Sequence, residues 1–63
     1  MAQYRCYLLD GAGAIRGVET VIGVDDDNAL DAARDLLALR PAFVGFELWR
    51  GERRVYVEAM AVP

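Results

Sequence analysis

One amphipathic helix between two pairs of strands is the pattern that most constrains how this sequence folds. Residues 28–39 contain no glycine, proline or β-branched side chain, whereas the segments on either side hold strand-forming residues and glycine turns. A chain of 63 residues has room for a single domain with a small core. We therefore predict one soluble α+β domain over residues 1–63, in the order β-β-α-β-β.

The helix is predicted at about residues 26–40. Asp25 or Asp26 can accept hydrogen bonds from the free N–H groups of the first turn, and three consecutive acids lie at the positive end of the helix dipole. Pro41 ends the helix, because the residue before a proline is driven out of the helical region. The side expected to face the sheet carries Ala29, Ala33, Leu36, Leu37 and Arg40, with Leu30 beside them.

The first hairpin is predicted from residues 3–9 and 14–24, joined by a three-residue glycine loop. Such a loop places Arg5 opposite Glu19, so that opposite charges meet across the strands. A shift of one residue would instead place Cys6 opposite Glu19 and turn each side chain of one strand to the other face. We favour the register that pairs Arg5 with Glu19.

The second hairpin is predicted from residues 42–50 and 53–61. Gly51 at the first central position favours a two-residue type II′ turn with Glu52. This turn predicts four cross-strand pairs, Leu48 with Val55, Phe46 with Val57, Val44 with Ala59, and Trp49 with Arg54. The first three pairs form an apolar face for the helix to cover, and the fourth is expected to make a cation–π contact.

The position of the helix limits the order of the strands. A helix that crosses one face returns the third strand parallel to the second, so antiparallel neighbours allow the orders 2-1-3-4 and 1-2-4-3, of which we favour 2-1-3-4. One helix covers only one face of a four-stranded sheet. The uncovered face is expected to carry Tyr7, Leu9, Ile15, Phe43, Trp49 and Tyr56. An apolar and aromatic patch of this kind is typical of an interaction surface; the alternative is a half-solvated face whose rings lie along arginine stems.

The residue types that the sequence lacks narrow its chemistry. Histidine, serine and lysine are absent, so the usual proton shuttle, the serine nucleophile and the Schiff-base amine are absent with them. The single cysteine, Cys6, forms no internal disulfide or zinc site and is expected to be a buried hydrophobic residue. The run of three aspartates at 25–27 lacks the ligand spacing of a calcium loop. We predict a non-enzymatic protein with no catalytic residue, cofactor or metal.

Two other segments have some features of ligand sites. Residues 11–17 are rich in glycine but precede a strand, where a phosphate loop requires a helix N-terminus. Arg50, Arg53 and Arg54 cluster beside Trp49, as in modules that bind single-stranded nucleic acid. A net charge of −3 and a pI near 4.6 disfavour that partner.

The leading hypothesis is therefore a small binding or accessory module. It is expected to form a homodimer or to bind another protein, and single-stranded nucleic-acid binding through the Trp/Arg hairpin is the alternative. The candidate binding residues are Tyr7, Phe43, Trp49, Arg54 and Tyr56. No apolar run approaches the roughly 20 residues that span a bilayer, and residues 1–5 lack the pattern of a signal peptide. We expect no membrane partner and a cytoplasmic location.

Three segments of the sequence carry a resemblance to known proteins. They are Y-x-x-Y-x-L-D-G-x-G-x-I at residues 4–15, D-D at 25–26, and E-L-W-x-G-x-R at 47–53. Together they resemble a group of short stand-alone bacterial proteins of unknown function, over nearly the whole chain. The resemblance implies the same series of strand, helix and hairpin, and it implies no reaction, ligand or catalytic residue.

Overall fold

Four antiparallel strands form one sheet, and a single helix lies against one of its faces. The computed structural model of the chain describes residues 1–58. Its elements are β1 (Ala2–Leu9), β2 (Ile15–Gly23), α1 (Asp26–Ala38), β3 (Gly45–Arg50) and β4 (Arg53–Glu58). The strand order is β2-β1-β3-β4. The predicted α+β class, the β-β-α-β-β order and the strand order 2-1-3-4 are confirmed.

The core lies between α1 and the two central strands, β1 and β3. Alternate side chains of a strand point to opposite faces, so every second residue of β1 and β3 faces the helix. These residues are Tyr4, Cys6 and Leu8 on β1, with Phe46 and Leu48 on β3, and each is at most 1% exposed. The helix contributes Ala29 and Ala33, both fully buried. Because alanine side chains are short, the helix backbone lies close to the sheet. We call the face of the sheet that packs against α1 the helix side.

The start of the helix is fixed by two reciprocal hydrogen bonds. The Asn28 N–H donates to Asp25 Oδ1 at 2.8 Å, and the Val24 N–H donates to Asn28 Oδ1 at 3.0 Å. Asp25 has extended backbone angles, as an N-cap residue does. Of the two aspartates predicted as possible caps, Asp25 and Asp26, Asp25 is the N-cap. The helix ends at Ala38, two residues before the predicted end, and the Arg40 guanidinium donates to Glu19 Oε1 at 3.1 Å.

The predicted register of the first hairpin is wrong. Cys6 lies opposite Glu19, and Arg5 lies opposite Thr20. The loop holds five residues, because Asp10 closes it: Asp10 Oδ1 accepts hydrogen bonds from two loop amides, at 2.9 and 3.0 Å. One further residue, Arg16, is inserted in β2 as a bulge, between the residues that pair with Leu8 and Leu9.

The second hairpin follows the prediction only at its tip. Trp49 lies opposite Arg54 as predicted, and Gly51 has a φ of 60°, as a type II′ turn requires. A bulge beyond Trp49 then shifts the register by one residue. The pairs formed are Leu48 with Tyr56, Glu47 with Val57, and Phe46 with Glu58. The predicted pairs of Leu48 with Val55 and of Phe46 with Val57 are therefore wrong. The predicted pair of Val44 with Ala59 lies outside the described residues.

Candidate functional site

The sheet face that points away from the helix is the candidate site, and we call it the open face. The strand registers arrange its side chains in rows that cross all four strands. One row is Thr20, Arg5, Trp49 and Arg54, and the next is Val18, Tyr7, Glu47 and Val57. Gln3 and Ile22 extend the face at one end, and Leu9 and Ile15 extend it at the other.

The centre of the open face consists of two aromatic rings and two charged groups. Arg5 lies opposite Trp49, and Tyr7 lies opposite Glu47, on the two central strands. The Trp49 indole N–H donates to Glu47 Oε1 at 3.1 Å. Tyr7, Glu47 and Trp49 are half-buried, and Arg5 is exposed. We call these four residues the central patch.

Aliphatic side chains of the outer strands flank the central patch. Val18 and Ile22 on β2 are 53% and 50% exposed, and Val57 on β4 is 41% exposed. Leu9, by contrast, is only 6% exposed and is not part of the helix-side cluster. The open face therefore combines an aromatic centre with an aliphatic border.

Two of the five candidate binding residues lie on the other face. Tyr56 is on the helix side, where its ring centroid lies 6.0 Å from that of Phe46 and its hydroxyl accepts a hydrogen bond from Arg34 at 3.1 Å. The bulge in β4 causes this, because one inserted residue reverses the face on which the following side chains lie. Phe43 contacts the buried core close to Gly17. The prediction that Tyr56 and Phe43 lie on the uncovered face is wrong.

The structure keeps Tyr7, Trp49 and Arg54 together on the open face and adds residues that sequence reasoning missed. Arg5 is the most important of them. Its position can be predicted from the sequence: residues two apart in a strand lie on the same face, so Arg5 lies on the same face as Tyr7. The sequence contains no pattern that places Val57 on the open face, because its position there follows from the bulge in β4.

The arginines fall into two groups according to their partners. Arg16, Arg34, Arg40 and Arg53 each form an ion pair, with Asp10, Glu58, Glu19 and Asp26 respectively. Within residues 1–58, no carboxylate lies within ion-pair distance of Arg5, Arg50 or Arg54. Two arginines lie over aromatic rings: the Arg50 guanidinium carbon is 5.8 Å from the centroid of the Tyr4 ring, and that of Arg34 is 5.3 Å from the centroid of the Tyr56 ring. The cation–π contact predicted between Trp49 and Arg54 is not formed.

A cleft of about 380 Å³ lies beside the central patch. Its lining is Gln3, Tyr4, Arg5, Tyr7, Thr20 and Gly51. Most of these residues are polar and belong to the open face, so the cleft is part of that surface. It brings Arg5 and Tyr7, two residues of the central patch, to one depression.

A second group of polar residues ties the helix to both hairpins. The Tyr4 hydroxyl donates to Asp26 Oδ1 at 2.7 Å, and Arg53 Nη2 donates to Asp26 Oδ2 at 3.2 Å. The hydrogen bond from Tyr4, followed by the hydrogen bond and charge of Arg53, holds the pKa of Asp26 below its usual value despite some desolvation. The same hydrogen bond raises the pKa of Tyr4. These contacts satisfy one another, so we assign this group a structural role.

The remaining reactive group, the Cys6 thiol, lies in the core. Burial, with a smaller effect from Glu19, raises its pKa to about 11. A thiol in this state is neutral at ordinary pH and is a poor nucleophile. In residues 1–58, no three side chains of the metal-ligating types converge on a common point.

Comparisons with models of known protein families, with curated proteins and with solved structures found no match. The resemblance to the group of short bacterial proteins stays a prediction. In the part of the chain that the structure describes, α1 is too short and too polar to cross a membrane. The candidate function therefore depends on the open face and its chemistry.

Proposed function

We propose that this chain is a non-enzymatic binding module that works through its open face, and that its partner is a second copy of the chain. The proposal places the homodimer in the cytoplasm, where a single free thiol stays reduced. The observation that carries the proposal is the composition of the open face: at its centre lie aromatic rings and Arg5, which has no carboxylate partner in residues 1–58, and exposed aliphatic side chains surround them.

This composition matches the anatomy of protein interfaces. Tryptophan, tyrosine and arginine are the residues that most often dominate binding energy, and they cluster near the centre of an interface. Trp49, Tyr7 and Arg5 hold that central position on the open face. Val18, Ile22 and Val57 would lose exposed apolar surface on association, which favours the complex by the hydrophobic effect.

The size of the molecule also supports a dimer. An interface of standard size buries about 800 Å² on each partner, and for a chain whose described part measures 35 × 23 × 19 Å it would occupy most of the open face. A chain of 63 residues has a thin core and gains stability from any partner that binds only the folded state. Self-association would then stabilise the fold itself.

Sedimentation equilibrium and light scattering over a concentration series test this proposal. We expect the wild-type mass to rise from monomer to dimer with concentration, and we expect Trp49→Ala and Val18→Glu to weaken the dimer. The matched control is Val24→Glu: Val24 is 67% exposed but lies outside the four strands, between β2 and α1. A strict monomer, or equal weakening by Val18→Glu and Val24→Glu, would contradict the proposal.

A second candidate function is binding of single-stranded nucleic acid. The observation that favours it is that Trp49 lies between Arg5 and Arg54 in one cross-strand row, and neither arginine has a carboxylate partner in residues 1–58. Bases stack on aromatic rings and phosphates pair with arginine in such modules. Fluorescence anisotropy with labelled single-stranded DNA and RNA at low salt tests it, because electrostatic binding is strongest there. Binding that Arg54→Glu does not weaken would exclude this site.

A further inference from the structure

The central patch has a symmetry that specifies how a second copy can dock on it. Arg5 and Trp49 are cross-strand neighbours, as are Tyr7 and Glu47, and both pairs lie on the open face of β1 and β3. Neighbouring strands are about 4.8 Å apart, and residues two apart in a strand are separated by about 6.7 Å. The four side chains therefore stand at the corners of a small quadrilateral. The two rings occupy one diagonal, and the two opposite charges occupy the other.

An arrangement of this kind is complementary to itself. In a two-fold dimer, if one residue contacts a second residue of the partner, the reverse contact forms as well. A two-fold axis that lies along the aromatic diagonal places each ring against its own copy. The same axis exchanges the positions of Arg5 and Glu47, so that each arginine meets the glutamate of the other copy.

The charges of the central patch are available for such pairing. Glu47 forms no ion pair with Arg5 or Arg54 in residues 1–58, although all three lie on the same face. Its Oε1 atom is held by the indole of Trp49, and its second oxygen accepts no hydrogen bond from the described residues. The indole thus positions the carboxylate at the centre of the face, where pairing with a partner would exclude water.

We infer that two copies dock open face to open face about this axis, with Trp49 against Trp49, Tyr7 against Tyr7, and Arg5 of each copy paired with Glu47 of the other. The inference rests on the proposed function and names its geometry. Because the axis runs obliquely to the strands, the strands of the two sheets cross at a large angle, closer to orthogonal than to aligned packing.

A charge exchange between two variants tests the inference. Arg5→Glu alone sets acid against acid across the dimer, and Glu47→Arg alone sets base against base. We expect each variant to weaken self-association by about tenfold or more, since like charges at an interface are strongly unfavourable. In a heterodimer of one copy of each variant, both contacts between position 5 and position 47 join opposite charges. We expect an equal mixture to form the heterodimer, which native mass spectrometry separates from either homodimer by mass.

The control is Arg54→Glu, which makes the same charge change in the row of Arg5 but outside the central patch. In its mixture with Glu47→Arg, one of the two contacts still sets base against base, so we expect less heterodimer than the mixture of Arg5→Glu with Glu47→Arg forms. Circular dichroism establishes that each variant is folded, and the single-chain double variant, Arg5→Glu with Glu47→Arg, is expected to recover the homodimer.

The outcomes separate this inference from the proposed function. If the wild type dimerises and Trp49→Ala weakens the dimer, but neither the mixture nor the double variant recovers association, the docking geometry is wrong and the open-face dimer stands. If Arg54→Glu is complemented as well as Arg5→Glu, the pairing is non-specific and the geometry is likewise overturned. If the wild type is a monomer at every concentration, both proposals fail together.

Discussion

Gly23 and Ala29 lie in direct contact, at the point where the end of β2 meets the first turn of α1. A methyl group built on Gly23 would stand 2.9 Å from the Cβ of Ala29 and 2.8 Å from its backbone nitrogen. These distances are shorter than van der Waals contact, and one of the atoms belongs to the helix backbone. Only glycine allows the helix to lie this close to the edge of the sheet.

The first prediction is that Gly23→Ala destabilises the fold by about 1–3 kcal/mol, because an added methylene forces the backbone of a well-packed core to move. Gly11→Ala is the matched control, since nothing lies within 4 Å of a Cβ at Gly11 and its φ is not positive. Its effect is expected to stay within about 0.5 kcal/mol. Urea unfolding followed by circular dichroism measures both variants. Equal free energies of unfolding would show that the helix can move away from β2 at no cost.

The second prediction concerns acid stability through Asp26. Its pKa is lowered in the folded state by the Tyr4 hydrogen bond and by Arg53, while the unfolded chain has the ordinary value of about 3.9. The stabilisation is therefore complete above that value and is lost as the pH falls through the lower folded pKa. We expect Asp26→Asn to be less stable than wild type at neutral pH and to approach it in acid.

Asp27→Asn is the control for this experiment, because Asp27 makes no side-chain hydrogen bond within residues 1–58. Urea midpoints measured between neutral pH and pH 2 compare the three proteins. A difference between wild type and Asp26→Asn that does not change with pH would mean that the ionised carboxylate contributes nothing to the fold.

The third prediction tests the Asp10 side chain that closes the first hairpin. Its Oδ1 accepts from the Ala12 and Ala14 amides, and its Oδ2 accepts from Arg16 at 3.0 Å. The bond from the Ala14 amide, followed by the bond from Arg16, lowers the pKa of Asp10. Asparagine keeps the amide contacts but removes the charge, and alanine removes both. Thermal melts are expected to rank wild type above Asp10→Asn, and Asp10→Asn above Asp10→Ala. Identical melting temperatures of the two variants would show that the amide contacts of Asp10 contribute no stability.

The fourth prediction concerns the Cys6 thiol, whose pKa is raised to about 11 by burial. An unfolded cysteine ionises near pH 8.5. Because the folded pKa is the higher one, the contribution of Cys6 to stability is intact below about pH 8.5 and declines as the pH rises toward 11. A thiol reagent at pH 8 is expected to label the native protein far more slowly than the urea-unfolded chain. Equal labelling rates would place Cys6 outside the core.

The fold could be predicted from the sequence because its determinants are local. A capped amphipathic helix between two hairpins leaves few strand orders, and 2-1-3-4 is the one formed. Residue type alone placed the helix cap at Asp25 or Asp26, and the structure has it at Asp25. The open face was also expected, since one helix covers one side of a sheet.

The strand registers could not be predicted because they depend on contacts between distant residues. Charge pairing favoured Arg5 opposite Glu19, but Glu19 pairs with Arg40 on the helix side and Asp10 closes a longer loop. In the second hairpin, the bulge allows the Tyr56 ring to contact Phe46 and Arg34. No local pattern marks either bulge, so the faces of Tyr56 and Val57 were assigned incorrectly.

The bulge in β4 makes the length of the second hairpin as decisive as its residue types. If β4 paired regularly, with Val55 opposite Leu48, the phenol ring would move to the open face and Val57 would turn to the helix side, with no change in sequence. A related chain that lacks Val55 would keep Tyr56 opposite Leu48 without needing the bulge. When such chains are compared, the number of residues between Gly51 and Tyr56 is the first property to align.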